Sequence, residues 1–151
     1  MTTIRLTREF SFETAHALIG YDGPCRQIHG HSYKLFVTVA GVPSTDPVDP
    51  KLGMVMDFGQ LKEIVNRLII SKYDHAFVIR ATEDSSELIR SMSSYWDRVV
   101  TTEYQPTCEN MIISFVDMIR AELPAGIKLV EIKLYETEKS HAAWRLEDNN
   151  R

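Results

Sequence analysis

Apolar residues recur at nearly every second position at the start of the chain. Ile4, Leu6, Phe10 and Phe12 alternate with Arg5, Thr7, Glu9 and Ser11, the period of a strand with one buried face, and Arg8 interrupts that face once. The run SYKLFVTVAG, closed by Gly41, is rich in β-branched and aromatic residues and predicts a second strand, neighbour to the first in an antiparallel sheet. PSTDPVDP then predicts a loop. From Asp57, a residue type suited to an N-cap, the spacing of Phe58, Leu61, Ile64, Val65, Leu68 and Ile69 predicts a helix over 58–71 with one apolar face. YDHAFVI reads as a short strand. Residues 80–104 give a weak pattern: TEDSSELIRSM suits a short helix and DRVVTT a short strand, and the segment reads as an insertion.

Pro106 and Thr107 open a clearer helix, with Met111, Ile112, Phe115, Met118 and Ile119 on one face, ending before Pro124 and Gly126. IKLVEIKLYET predicts a third long strand, with Val130, Ile132, Leu134 and Glu136 on one side, and HAAWRL a fourth. No regular βαβ alternation and no internal repeat is visible, which points to an α+β domain of four antiparallel strands with two helices on one face. At 151 residues and 44% hydrophobic content the chain suits one domain over 1–151 with its own core.

The charge balance, 17 Lys plus Arg against 21 Asp plus Glu, carries no basic run and argues against nucleic acid or a membrane surface as partner. Two cysteines are too few for a disulfide framework, and MTTIRLTREFSF lacks the unbroken apolar run of a signal peptide, so a cytoplasmic protein with reduced thiols is expected.

The chemistry concentrates in PCRQIHGHSY, Pro24 to Tyr33. On a strand, His29 and His31 project from one face, and Gly30 leaves the backbone room. His16 follows the alternation of Phe10 and Phe12, so pairing of the first two strands brings three imidazoles together. Three histidines with an open fourth position are typical of catalytic zinc, whereas structural zinc usually has four protein ligands. The competing reading is a solvent-facing His-Gly-His turn with His16 bonded elsewhere. A cupin-like site begins to fit at Gly23 and fails, because SYKLF contains no carboxylate. Cys25 is open to two roles: a fourth ligand of a structural zinc, or a thiol of lowered pKa moving protons beside it. Cys108, at a helix start, reads as a buried structural residue. Asp74 and His75 set a carboxylate beside an imidazole, but neighbours on a strand point apart, so the pair needs a turn; a helix-end histidine with a solvated aspartate is the plainer reading. Glu136 either marks a strand leaving the core or binds something in a pocket.

FSFETAHAL, CRQIHGHSYKLFVTV, GMVMDFGQLK, KYDHAFV, PTCEN and LYET, in this order and spacing, resemble the family of 6-pyruvoyl- and 6-carboxy-tetrahydropterin synthases over most of the chain. The Cys-x3-His-x-His element with the upstream Ala-His is the specific part. The resemblance implies a tunnelling fold whose subunits assemble into a barrel, usually a homohexamer with sites at subunit interfaces. It implies His16, His29 and His31 as zinc ligands and Cys25 as the catalytic cysteine. Asp74 and His75 correspond to the dyad that activates that cysteine from a neighbouring subunit. Glu136 corresponds to the carboxylate that grips the pterin edge, and Thr107 and Glu109 to a second pterin-side segment. The implied substrate is 7,8-dihydroneopterin triphosphate; zinc holds its side-chain hydroxyls while Cys25 and His75 move protons. No G-x-G-x-x-G or P-loop pattern calls for a nucleotide cofactor. The Cys-x3-His-x-His spacing favours the branch that loses acetaldehyde and leaves a 6-carboxy group on the route to queuosine. The branch that keeps a pyruvoyl chain is the alternative, and a non-catalytic zinc module the alternative of another class. The length of 80–104 and the continuation EKSHAAW depart from the family pattern.

Overall fold

A computed structural model describes residues 1–149. Its strands are β1 (Ile4–Ala17), β2 (His29–Gly41), β3 (Ala76–Arg80), β4 (Val99–Thr102), β5 (Lys128–Thr137) and β6 (Ser140–Arg145). They form one mixed sheet in the order β4-β3-β1-β2-β5-β6. Helix α1 (Phe58–Val65) continues through a π-helical turn (Asn66–Ile70) into α2 (Ser71–Tyr73). Further along the chain lie α3 (Ser86–Ser93), α4 (Cys108–Glu122) and the short α5 (Leu146–Asn149).

The predicted antiparallel four-stranded unit is present as β1, β2, β5 and β6. The sheet extends beyond it by two strands. β3 joins β1 in parallel, Thr14 opposite Ala76, and β4 joins β3 in parallel, Phe77 opposite Val99. Parallel strands are covered on both faces and so read as unbroken apolar runs rather than alternations. Ala76, Phe77, Val78 and Ile79 are all buried. The short helix and short strand expected within 80–104 are α3 and β4, and the segment is an integral part of the sheet, supplying the crossover helix and the edge strand that a parallel connection requires.

One face of the sheet carries the main core. Phe10, Phe12, Tyr33, Leu35, Val37, Ile132 and Leu134 pack there against Leu61, Ile64, Val65 and Ile69 and against Met111, Ile112, Phe115, Val116 and Ile119 of α4. Asp57 caps α1 as its residue type predicts, accepting from Gly59 N at 2.6 Å. Arg8 leaves the apolar stripe to donate to the Phe58 carbonyl at 3.0 Å. The expectation of two helices on one face holds for α1 and α4. α3 lies on the other face, where Ile89 and Met92 pack on Ala17, Phe77 and Ile79. The stripe predicted for β5 also shifts. Thr38 pairs with Glu131 and Val39 with Leu129, so a bulge at Val130 puts Leu129 in the core.

Candidate active site

The ladder between β1 and β2 ends with His16 directly opposite His29 and Thr14 opposite His31. Strand alternation then sends all three imidazoles to the helix-covered face. Ring centroids of His16 lie 4.5 Å from His29 and 5.2 Å from His31, and those of His29 and His31 are 5.0 Å apart. One nitrogen of each falls within 4.8 Å of the others.

Backbone carbonyls set the orientation of two of these rings. His16 Nδ1 donates to the Pro106 carbonyl at 2.7 Å, and His29 Nδ1 donates to the Gln27 carbonyl at 2.8 Å. A carbonyl can only accept, so both Nδ1 atoms carry the proton and both Nε2 atoms present lone pairs. Those Nε2 atoms stand 3.0 Å apart. Two lone pairs at that distance repel one another, and a cation shared between them removes the conflict; this donor set fits a metal ion bound by three neutral imidazoles. Burial, the leading cause, lowers the pKa of His16, assisted by the neighbouring His29 and His31 and opposed by the Pro106 carbonyl and Glu136. His31 is shifted down for the same leading reason, with Glu136 opposing. Both are thereby held neutral, the form that ligates.

Glu136 reaches the same place from β5. Its Oε1 lies 3.8 Å from His16 Nε2 and 3.9 Å from His31 Nε2, and it accepts from the Tyr33 hydroxyl at 3.3 Å. With 29% of its side chain exposed, the carboxylate borders the cluster and is partly open to solvent.

Cys25 sits in a single 3-10 turn, Pro24–Arg26, partly exposed, and is not among the clustered ligand atoms. Its carbonyl accepts from Leu18 N at 3.1 Å, which ties the turn to the chain just after His16. Cys108 is buried, as expected, and burial pushes its thiol up to about 11.

Asp74 and His75 do pair, Oδ1 to Nδ1 at 3.1 Å, and His75 makes the required turn by adopting φ 58°. Asp74 Oδ1 also accepts from Glu13 N at 2.9 Å, which, as the leading cause, holds its pKa below the ordinary carboxylate value. His75 is not beside the three histidines. It lines a cavity of about 510 Å³ with Ala15, Ile28, Met92 and Trp96 on the α3 side, and Ala15 points to the face opposite His16. Its side chain is 74% exposed.

Thr107 is the N-cap of α4, its hydroxyl accepting from Asn110 N at 3.3 Å, and Glu109 is exposed on the first turn. The sequence reading missed the partners of the site: the carbonyls of Gln27 and Pro106, and Tyr33. Tyr33 was within reach, because it continues the alternation His29, His31.

Fold and site together define an α+β protein with a three-histidine centre able to hold a metal ion. The sequence model described as 6-pyruvoyl tetrahydropterin synthase matches residues 5–147, and the chain belongs to that family. It is 31% identical over 142 residues to the 6-carboxy-5,6,7,8-tetrahydropterin synthase of Haemophilus influenzae, covering 93% of this chain and 98% of that one. Among solved structures, an uncharacterized protein from Wolinella succinogenes superposes with a TM-score of 0.78 at 21% identity, over 97% of this chain and 99% of that one. The 6-pyruvoyl tetrahydropterin synthase of Caenorhabditis elegans superposes with a TM-score of 0.66 at 24% identity, over 96% of each chain. These two likenesses establish the fold. No helix among the described residues is long and apolar enough to cross a membrane.

Proposed function

We propose that the chain is a zinc-dependent 6-carboxy-5,6,7,8-tetrahydropterin synthase, converting 7,8-dihydroneopterin triphosphate to 6-carboxy-tetrahydropterin with loss of triphosphate and acetaldehyde. The observation that carries this reading is the histidine trio with two Nδ1 protons locked on carbonyls, bordered by the partly exposed carboxylate of Glu136. The 31% identity to a relative of that name supports the 6-carboxy product over the pyruvoyl one.

In this reading the chain acts as one cytoplasmic domain over residues 1–151, assembled as a homohexamer through its open sheet edges. His16, His29 and His31 hold the zinc. When bound, the metal supplies Lewis acidity toward hydroxyl and carbonyl oxygens. Glu136 accepts two N–H donors from the 2-amino-pyrimidinone edge of the pterin, a charge-assisted pairing that fixes the ring. Thr107 and Glu109, on the first turn of the helix whose preceding carbonyl holds His16, border the pterin on its other side. Cys25 Sγ exchanges protons with the side-chain carbons. Asp74 fixes the proton on His75 Nδ1 and leaves Nε2 free to serve a thiol. Because this pair lies on the sheet face away from the histidines of its own chain, it serves the Cys25 of a neighbouring subunit.

Mass spectrometry of the products formed from 7,8-dihydroneopterin triphosphate tests the reading. A carboxypterin with acetaldehyde is expected. A pyruvoyl product moves the chain to the other branch, and no turnover by metal-loaded protein overturns the enzyme assignment.

A further inference from the structure

We propose that Tyr33 is a positioning residue for Glu136, its hydroxyl anchoring one carboxylate oxygen so that the side chain meets the pterin edge in a fixed pose. The inference rests on the reading of Glu136 as the pterin-binding carboxylate.

The backbone leaves Glu136 underdetermined. On one side the ladder between β2 and β5 ends at Lys34 opposite Tyr135. On the other, the register between β5 and β6 shifts between Tyr135 and Thr137, so Glu136 is opposite no residue of either neighbour. A residue at such an irregularity is re-aimed relative to the regular pleat, and its side chain takes its direction from whatever it touches. Among the described residues, the hydroxyl of Tyr33 is its hydrogen-bond donor.

Tyr33 itself is fixed from every direction. It is fully buried, its ring stacks on Phe12 with centroids 5.1 Å apart and planes 9° apart, and it meets His31 edge-on at 5.5 Å and His16 at 6.3 Å. A phenol placed so deeply needs a partner for its O–H, and Glu136 is that partner. At 3.3 Å the bond is longer than the ~2.7 Å common for hydroxyl donors. Oε1 is thus held toward the histidines while Oε2 keeps its full accepting capacity. The packed element is the aromatic ring on β2, and the group it orients is the carboxylate at the irregularity of β5.

The test is a double-mutant cycle of neopterin binding, followed by fluorescence titration on metal-loaded wild type, Tyr33→Phe, Glu136→Gln and the double variant. Metal content and melting temperature serve as controls, and the retained ring keeps the core packed. Glu136→Gln is expected to weaken binding on the order of 10²-fold and Tyr33→Phe roughly 10-fold. The double variant should bind no more weakly than Glu136→Gln alone. Wild-type affinity in Tyr33→Phe, with Glu136→Gln weakened, overturns the positioning role and leaves the pterin reading standing. Wild-type affinity in Glu136→Gln overturns both. A Tyr33→Phe penalty that persists undiminished beside Glu136→Gln also overturns the proposal, because Tyr33 then acts through packing and not through the carboxylate.

Discussion

The two faces of β1 near its end carry the two sets of ionisable side chains, and they are built in opposite ways. On the helix-covered face, His16 is 1% exposed, bonded through Nδ1 to a carbonyl, and joined by two further imidazoles and a carboxylate from the same chain. On the α3 face, His75 is 74% exposed, held in a left-handed conformation, and paired with Asp74. Desolvation and fixed hydrogen bonds prepare the first set within the subunit, as a ligand site requires. The second is oriented but open, as a group must be to act on a neighbouring chain.

The largest expected effect breaks the buried side alone. His16→Ala should lower metal affinity by at least about 10³-fold in a chelator competition, since one of three ligands is lost, while Asp74→Ala leaves that affinity unchanged. Equal loss in both variants would erase the distinction between the faces. Next, Cys25→Ala should keep its metal and its fold yet turn over 7,8-dihydroneopterin triphosphate about 10²–10⁴ times more slowly, the usual contribution of a proton-transfer group. Loss of the metal in that variant would make Cys25 a ligand and the protein a zinc module.

A third measurement sharpens the outward-facing side. His75→Ala and Cys25→Ala chains, each nearly inactive alone, should recover about a quarter of wild-type turnover when refolded together in equal amounts, the statistical share of sites uniting two intact halves. No recovery would place both residues in a site within one chain. The smallest effect concerns stability. Asp74→Ala loses the clasp on Glu13 N, worth roughly 0.5–1 kcal/mol for a solvent-screened hydrogen bond. Because the folded-state pKa of Asp74 is depressed, that contribution is present above the unfolded value of 3.8 and is lost as pH falls through the folded one. Urea midpoints of the two proteins should therefore differ at pH 7 and converge in strong acid.

The face carrying the histidines was legible in the sequence because period two is a local property: Phe10, Phe12 and His16 announce their side of the sheet without any knowledge of the partner strand. The face of His75 was not. Its direction depends on a single positive φ and on a parallel crossover, neither of which leaves a periodic trace. The bulge at Val130 escaped for a related reason. A strand with apolar Leu129, Val130, Ile132 and Leu134 permits either phase, and pairing with β2 across Thr38 and Val39 decides between them. β3 and β4 were legible as the short strands YDHAFVI and DRVVTT, but short apolar runs without alternation do not show which strand they pair with, so their parallel place beside β1 was missed and a sheet of six read as one of four. Family motifs nominated Cys25, Thr107 and Glu109 for the site, but spacing alone could not show that the hydroxyl of Thr107 is engaged in capping α4.

The contacts that make the site also differ in how much chain must be finished before they can form. His16 meets His29 across 13 residues of sequence, His16 meets the Pro106 carbonyl across 90, and Tyr33 meets Glu136 across 103. Contacts of short separation form early, and distant ones wait for the search that closes long loops. During synthesis from the N-terminus, β1 and β2 emerge first and can bring their histidines together while α4 and β5 are still unmade. The three-histidine corner is thus the earliest part of the candidate site to assemble and Glu136 the last, so a truncated or half-folded chain gathers its imidazoles without acquiring the carboxylate proposed to hold the pterin.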